Sequence, residues 1–302
     1  SAQQQDRGRT MEAVVQLEEA VRYDPSIWQA WGRLGELYYV TSTLDSALEA
    51  WTKAYQQAPP EHRAGLASRV NRAQRDAAIE RTFKTHATEH FHIRYDGEQH
   101  AAQAEAVGHA LEQAHARLRE RVGQAPPRLT VILYGAGEFQ RIAGRRDWAL
   151  GLYDGRMRLR IDEIQANDLA PFVVAHELGH AYLADTFGPG LPTWVHEGFA
   201  QLVEPEAPLT PREEALRQAF KARTAWVPLK WLDSRFIRPS HDQDVERAYA
   251  QSYYAVEQLM TRYGTDRWLR FLRALQGGAP VDEAMAKSFG VPGSRIDQGS
   301  FE

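Results

Sequence analysis

The chain has 302 residues, 43% of them hydrophobic and 25% charged, which is enough for two or three compact units and too apolar for wholesale disorder. A net charge of -4 provides no field that would gather polyanions, so nucleic acid is not an expected partner. Cysteine is absent, which excludes disulfides, thiolate ligands and cysteine nucleophiles and leaves histidine and carboxylates for any metal site.

Along the chain, Trp31, Leu34, Gly35, Tyr38, Ala47, Trp51, Ala54 and Pro59 fall at the offsets of a tetratricopeptide repeat, a helix-turn-helix unit that stacks on its neighbours. One repeat earlier, Ala13, Leu17, Ala20 and Pro25 occupy second-helix positions, so the first repeat is expected to be truncated, its first helix needing residues before Ser1. Glu61 to Lys84 reads as a helix capping the stack. The resemblance makes residues 1–81 a repeat domain with a groove for a protein partner and leaves 82–302 as a second domain.

In that second part His90 to Tyr95 alternates like a strand, Glu98 to Val122 reads as an amphipathic helix and Leu129 to Tyr134 as a buried strand. Leu152 to Ile161 reads as a hairpin or edge strand around Asp154-Gly155. Helices are expected over Asp168 to Thr186, Pro192 to Val203, Pro211 to Ala222, Val245 to Tyr263, Asp266 to Leu275 and Val281 to Phe289. A small early sheet followed by helices defines an α+β fold. The most apolar stretch, Leu169 to Ala184, is too short to span a bilayer and contains His176, Glu177 and His180, so no transmembrane segment is expected.

That stretch carries the chemistry. His176-Glu177-Leu178-Gly179-His180 puts two imidazoles one turn apart on a helix face, where both can reach one cation, with Glu177 beside them as a general base for water. A catalytic zinc needs a third protein ligand and an open position. Leu183 and Thr186 stand where the longer metzincin form of the motif has Gly and His. Asp185, five residues past His180, points about 140° away on an unbroken helix. Glu197, 21 residues after His176, and its neighbour His196 are the other candidates.

Together with Trp194-Val195-His196-Glu197-Gly198-Phe199-Ala200, the first motif resembles the gluzincins, most closely the aminopeptidase-N-like enzymes. The resemblance implies a zinc metallopeptidase holding one Zn2+ through His176, His180 and Glu197, with Glu177 as general base. The acid that usually orients a zinc-binding histidine is replaced by Gln201, and Glu204 is its possible substitute. Tyr249, in Tyr249-Ala250-Gln251-Ser252-Tyr253-Tyr254, matches the catalytic tyrosine. Gly151, Leu152 and Tyr153 correspond to the edge strand that holds substrate by strand addition.

No Gly-x-Met-Glu-Asn segment is present, so the resemblance does not extend to a free-N-terminus site, and a classical aminopeptidase is not expected. Repeats, Tyr-Asp-Gly, zinc helix and Glu-Gly-x-Ala together resemble bacterial peptidase-MA-like proteins. That likeness implies a peptide or protein substrate and favours the cell envelope or periplasm. Two other functions fit the same residues: a repeat scaffold with a degenerate or structural zinc site, and a zinc hydrolase of a non-peptide substrate. Arg156 to Arg160 and Thr210 to Asp244 are the stretches left to shape a pocket.

Overall fold

The computed structural model describes residues 2–97, 100–126, 128–143, 150–166, 169–188, 190–222, 224–237 and 242–297. It is mainly helical with one small mixed sheet, an α+β fold. The elements follow the order α1 (Ala2–Tyr23), α2 (Trp28–Val40), α3 (Leu44–Gln57), α4 (Pro60–Glu80), β1 (Lys84–Ala87), β2 (Phe91–Tyr95), α5 (Ala101–Val122), β3 (Leu129–Tyr134), α6 (Ala136–Ala143), β4 (Gly151–Tyr153), β5 (Met157–Arg160) and α7 (Ile161–Ala166). Among the described residues only helices follow: α8 (Ala170–Phe187), α9 (Thr193–Leu202), α10 (Pro211–Lys221), α11 (Leu229–Ile237), α12 (Asp242–Tyr263), α13 (Thr265–Gln276), α14 (Val281–Phe289) and α15 (Gly293–Asp297). Among the described residues no helix is long and apolar enough to cross a membrane.

The expected strand over Leu129 to Tyr134 and helix over Val281 to Phe289 form with those bounds. The starts expected at Glu98 and Asp168, and Pro189 of the loop after the histidine motif, lie outside the described residues. Two differences are instructive. The helix expected to run to Lys84 stops at Glu80, because Lys84–Ala87 instead pairs antiparallel with β2. That strand is polar and mostly exposed, so it lacks the apolar alternation by which a strand is read. Ile161, expected to end the hairpin, opens α7.

The chain forms two compact units, Ser1–Gln113 with Pro126–Ala170, and Ala114–Ala125 with Pro171–Glu302. In the first unit the sheet order is β1-β2-β3-β5-β4. The three middle strands are parallel, and antiparallel partners β1 and β4 form the edges. β3 is buried at every position, as expected of a central parallel strand with apolar residues on both faces. Residue 82 falls between α4 and β1.

A buried charge network ties α2 and α4 to this sheet. Arg156 and Arg158, beside and on β5, are fully buried, as are Asp76 and Glu80 on α4. Arg158 donates to Asp76 at 2.7 Å and to the Tyr134 hydroxyl at 2.8 Å, while Arg156 donates to Asp76 at 3.3 Å and also to Glu80. The Tyr39 and Tyr134 hydroxyls donate to Asp76 and Glu80, each at 2.6 Å. Both guanidinium groups, which sequence reading offered as pocket residues, are thus consumed inside the unit. Four buried charges are tolerable because each meets an opposite charge and several hydrogen bonds.

Removing one partner leaves the others buried and unpaired. Asp76→Ala should therefore cost about 3–5 kcal/mol in chemical denaturation. Breaking the exposed Arg33–Glu36 pair with Arg33→Ala should cost under about 1 kcal/mol. Equal losses for the two variants would contradict the structural weight given to the network.

Candidate metal centre

The second unit builds its site on a close crossing of α8 and α9. α8 is apolar nearly all round, with Val174, Ala175, Leu178, Gly179, Ala181, Tyr182 and Leu183 buried, the pattern of a helix inside a core. α9 begins after Pro192, and its first amides, of Thr193 and Trp194, donate to the two carboxylate oxygens of Asp233 on α11, each at 3.0 Å. This satisfies donors that a helix start leaves without intrahelical partners and places a negative charge where the helix dipole favours it.

Two glycines set the spacing. A Cβ on Gly179 would lie 2.8 Å from the Ala200 Cα, and one on Gly198 would lie 2.3 Å from the Ser252 carbonyl oxygen on α12. Only a residue without a side chain lets α8 meet α9, and α9 meet α12, at these separations. Behind them Trp194 and Phe199 pack against Phe271, Trp268 and Tyr182.

At the crossing, one ligand atom each from His176, His180 and Glu197 gathers within a span of 4.8 Å. The Nε2 atoms of His176 and His180 are 3.1 Å apart, and they stand 3.4 Å and 3.5 Å from the same Glu197 Oε2. That oxygen is buried and makes no well-formed hydrogen bond. Metal–nitrogen bonds of about 2.0–2.1 Å in tetrahedral geometry set neighbouring ligand atoms about 3.3 Å apart, so the observed triangle fits a single small cation.

Electrostatics describe the same convergence. Burial would lower the His176 imidazole, but Glu197 and Glu204 outweigh it and raise it to about 10. Burial would raise the Glu197 carboxyl, yet His176 and His180 pull it down to about 2. Glu177 is buried, and loss of water lifts its carboxyl above the usual range despite the two neighbouring imidazoles. Such a carboxyl is a better proton acceptor than an exposed one.

The remaining expected residues fall in different places. Glu204 accepts from His176 Nδ1 at 2.8 Å, which turns Nε2 toward the shared point. Gln201 instead donates its amide to the carbonyls of Glu197 at 3.0 Å and Tyr249 at 3.1 Å. Of the two, therefore, Glu204 is the one placed to orient a histidine. Asp185 lies on the exposed face of an unbroken α8. The His196 ring lies 5.8 Å from that of His180 and is kept neutral by burial and by His180, its pKa lowered to about 4. The Tyr249 ring packs edge-on against Phe236 at 5.1 Å.

Gly151, Leu152 and Tyr153 form the edge strand β4 of the first unit, antiparallel to β5. Asp233 was not anticipated, since a cap supplied by a distant helix leaves no local signal.

The profile of the Peptidase MA superfamily matches residues 110–298, well over half of the chain. A helical unit presenting two histidines and a glutamate to one point defines a metallopeptidase-like hydrolase, and this chain belongs to the Peptidase MA superfamily. No curated protein matches it.

Two outcomes follow from the packing. Glu204→Ala should weaken metal binding about 10 to 100-fold in competition with a chelator while leaving the fold intact; unchanged affinity would remove Glu204 from the site. Gly198→Ala should lower unfolding stability by about 1–3 kcal/mol and loosen metal binding in the same titration, because the added methyl meets backbone. A neutral effect on both would contradict the spacing argument.

Proposed function

We propose that this chain is a zinc-dependent peptidase of the gluzincin type, with His176, His180 and Glu197 holding one Zn2+. The observation that carries this reading is the triangle of two imidazole nitrogens and one carboxylate oxygen at 3.1–3.5 Å. Bound there, the metal would supply a Lewis acid and a water acidic near neutral pH. Glu177 accepts a proton from the attacking water and returns it to the leaving amine, a role suited to its raised pKa. Glu204 fixes the His176 tautomer and ring. Tyr249 is assigned to the developing negative charge on the carbonyl oxygen.

The substrate is a peptide or protein chain, with Gly151, Leu152 and Tyr153 offering an edge for strand pairing. The missing Gly-x-Met-Glu-Asn segment argues against an aminopeptidase. α1 to α4 are assigned as tetratricopeptide-type repeats that dock a protein partner, and the cell envelope is the proposed location. A structural zinc would call for four protein ligands, and among the described residues this cluster contains three.

Elemental analysis and cleavage of a mixed peptide library test the proposal together. The parent should carry one zinc and cut peptides, Glu177→Gln should keep the metal and lose at least about 100-fold in rate, and Glu197→Ala should lose the metal. A parent that binds no divalent metal after reconstitution would overturn it.

A further inference from the structure

The second unit contains a cavity of about 170 Å3 between α10 and α12 that the chemistry above does not use. It lies one helical turn from Glu197, and among the described residues its lining includes none of His176, Glu177, His180 and Glu197 themselves. Gln201, one turn beyond Glu197, and Tyr249 both line it, joined by the hydrogen bond from the Gln201 amide to the Tyr249 carbonyl. An apolar cavity of about 150 Å3 takes up benzene, so this volume admits a phenyl ring or a branched aliphatic side chain.

The lining determines what would fit. Phe220 and Tyr254 are buried, with ring centroids 6.1 Å apart, and Leu216 adds an aliphatic wall. The charged groups at the cavity are already engaged. Arg217 donates to both oxygens of Glu257 at 3.0 Å and 2.8 Å, Glu213 accepts from the Thr210 amide at 2.7 Å, and Glu246 accepts from Arg212 at 2.5 Å. An acidic guest would lose its hydration and meet the Glu213 carboxylate, which accepts from a backbone amide, while the Arg217 charge is already taken by Glu257; a neutral apolar side chain has no charge to desolvate. Gln201 adds to this character, because a carboxylate at that position would put negative charge on the wall.

We infer that this cavity is the side-chain pocket of the substrate-binding site, selecting peptides with a large neutral apolar residue such as Leu, Met or Phe beside the scissile bond. The inference rests on the peptidase reading for its bond-cleaving context and on the cavity alone for its selectivity. Leu216, half-buried on α10 and outside the proposed metal and proton-transfer residues, sets the size of the space.

Two readouts on the zinc-reconstituted chain separate the pocket from the peptidase reading. One aligns the cut sites of a peptide library, and the other follows binding of N-acetyl-phenylalanine amide against N-acetyl-glutamate amide by NMR. The parent should enrich large apolar residues at one position flanking the cut and bind only the phenylalanine probe. Leu216→Trp, which fills the cavity, should reduce cleavage at those residues at least about tenfold relative to Ala or Gly and abolish probe binding. Leu216→Ala should shift preference toward Trp and serves as the check should the larger residue disturb folding.

Cleavage with no positional preference, or a preference unmoved by both variants, overturns the pocket and leaves the peptidase reading standing. Probe binding that Leu216→Trp abolishes, without any cleavage, keeps the pocket and removes the peptidase reading. Neither cleavage nor probe binding overturns both.

Discussion

The contact on which the site depends is the close crossing of α8 and α9 at Gly179 and Ala200. Each helix contributes part of the candidate ligand set: two imidazoles one turn apart on α8, and one carboxylate on α9. A Cβ on Gly179 would lie 2.8 Å from the Ala200 Cα, so even one added methyl requires the two helices to move apart. The neighbouring contact of Gly198 with α12 holds α9 from behind, so Glu197 sits between two helices that both approach to backbone distance. Burial and opposite charges meet there: against the effect of burial, Glu197 and Glu204 raise the His176 imidazole and the two imidazoles lower the Glu197 carboxyl, while burial and then His180 lower His196.

Support for the crossing comes from groups outside either motif. Asp233 fixes where α9 begins, Glu204 turns the His176 ring, and the cluster of Trp194, Phe199, Trp268 and Phe271 fills the volume behind. In the other unit a different device holds the structure. Arg156 and Arg158 are buried against Asp76 and Glu80, joining α4 to β5 by hydrogen-bonded charges rather than by apolar packing alone. Such pairing tolerates little displacement, because any gap leaves a charge without water or partner.

Much of this was legible in the sequence, for reasons that differ by element. The longer helices and the central strand follow from local periodicity, which is why Leu129–Tyr134 and Val281–Phe289 could be delimited, whereas the short helices α6, α11 and α15 were not expected. The metal-site candidates were legible because a single helix turn fixes the spacing of His176 and His180, and the second motif supplies Glu197. The edge strand Lys84–Ala87 was not, since a polar, exposed strand is defined by its partner β2 and carries no pattern of its own. Nor was the choice between Gln201 and Glu204, which depends on how α9 ends: Gln201 turns toward α12 while Glu204 reaches back to the histidine. The fate of Arg156 and Arg158 was equally hidden, because pairing with residues about 80 positions earlier is a property of the fold.

The central claim is that one cation is held jointly by α8 and α9. X-ray absorption at the zinc edge of the reconstituted chain tests it most directly. Two imidazole nitrogens and oxygen donors at about 2.0–2.1 Å in the parent, with one imidazole lost in His180→Ala and the zinc itself lost in Glu197→Ala, is the result the account predicts. A spectrum left unchanged by Glu197→Ala would contradict it, since the metal would then be bound without α9.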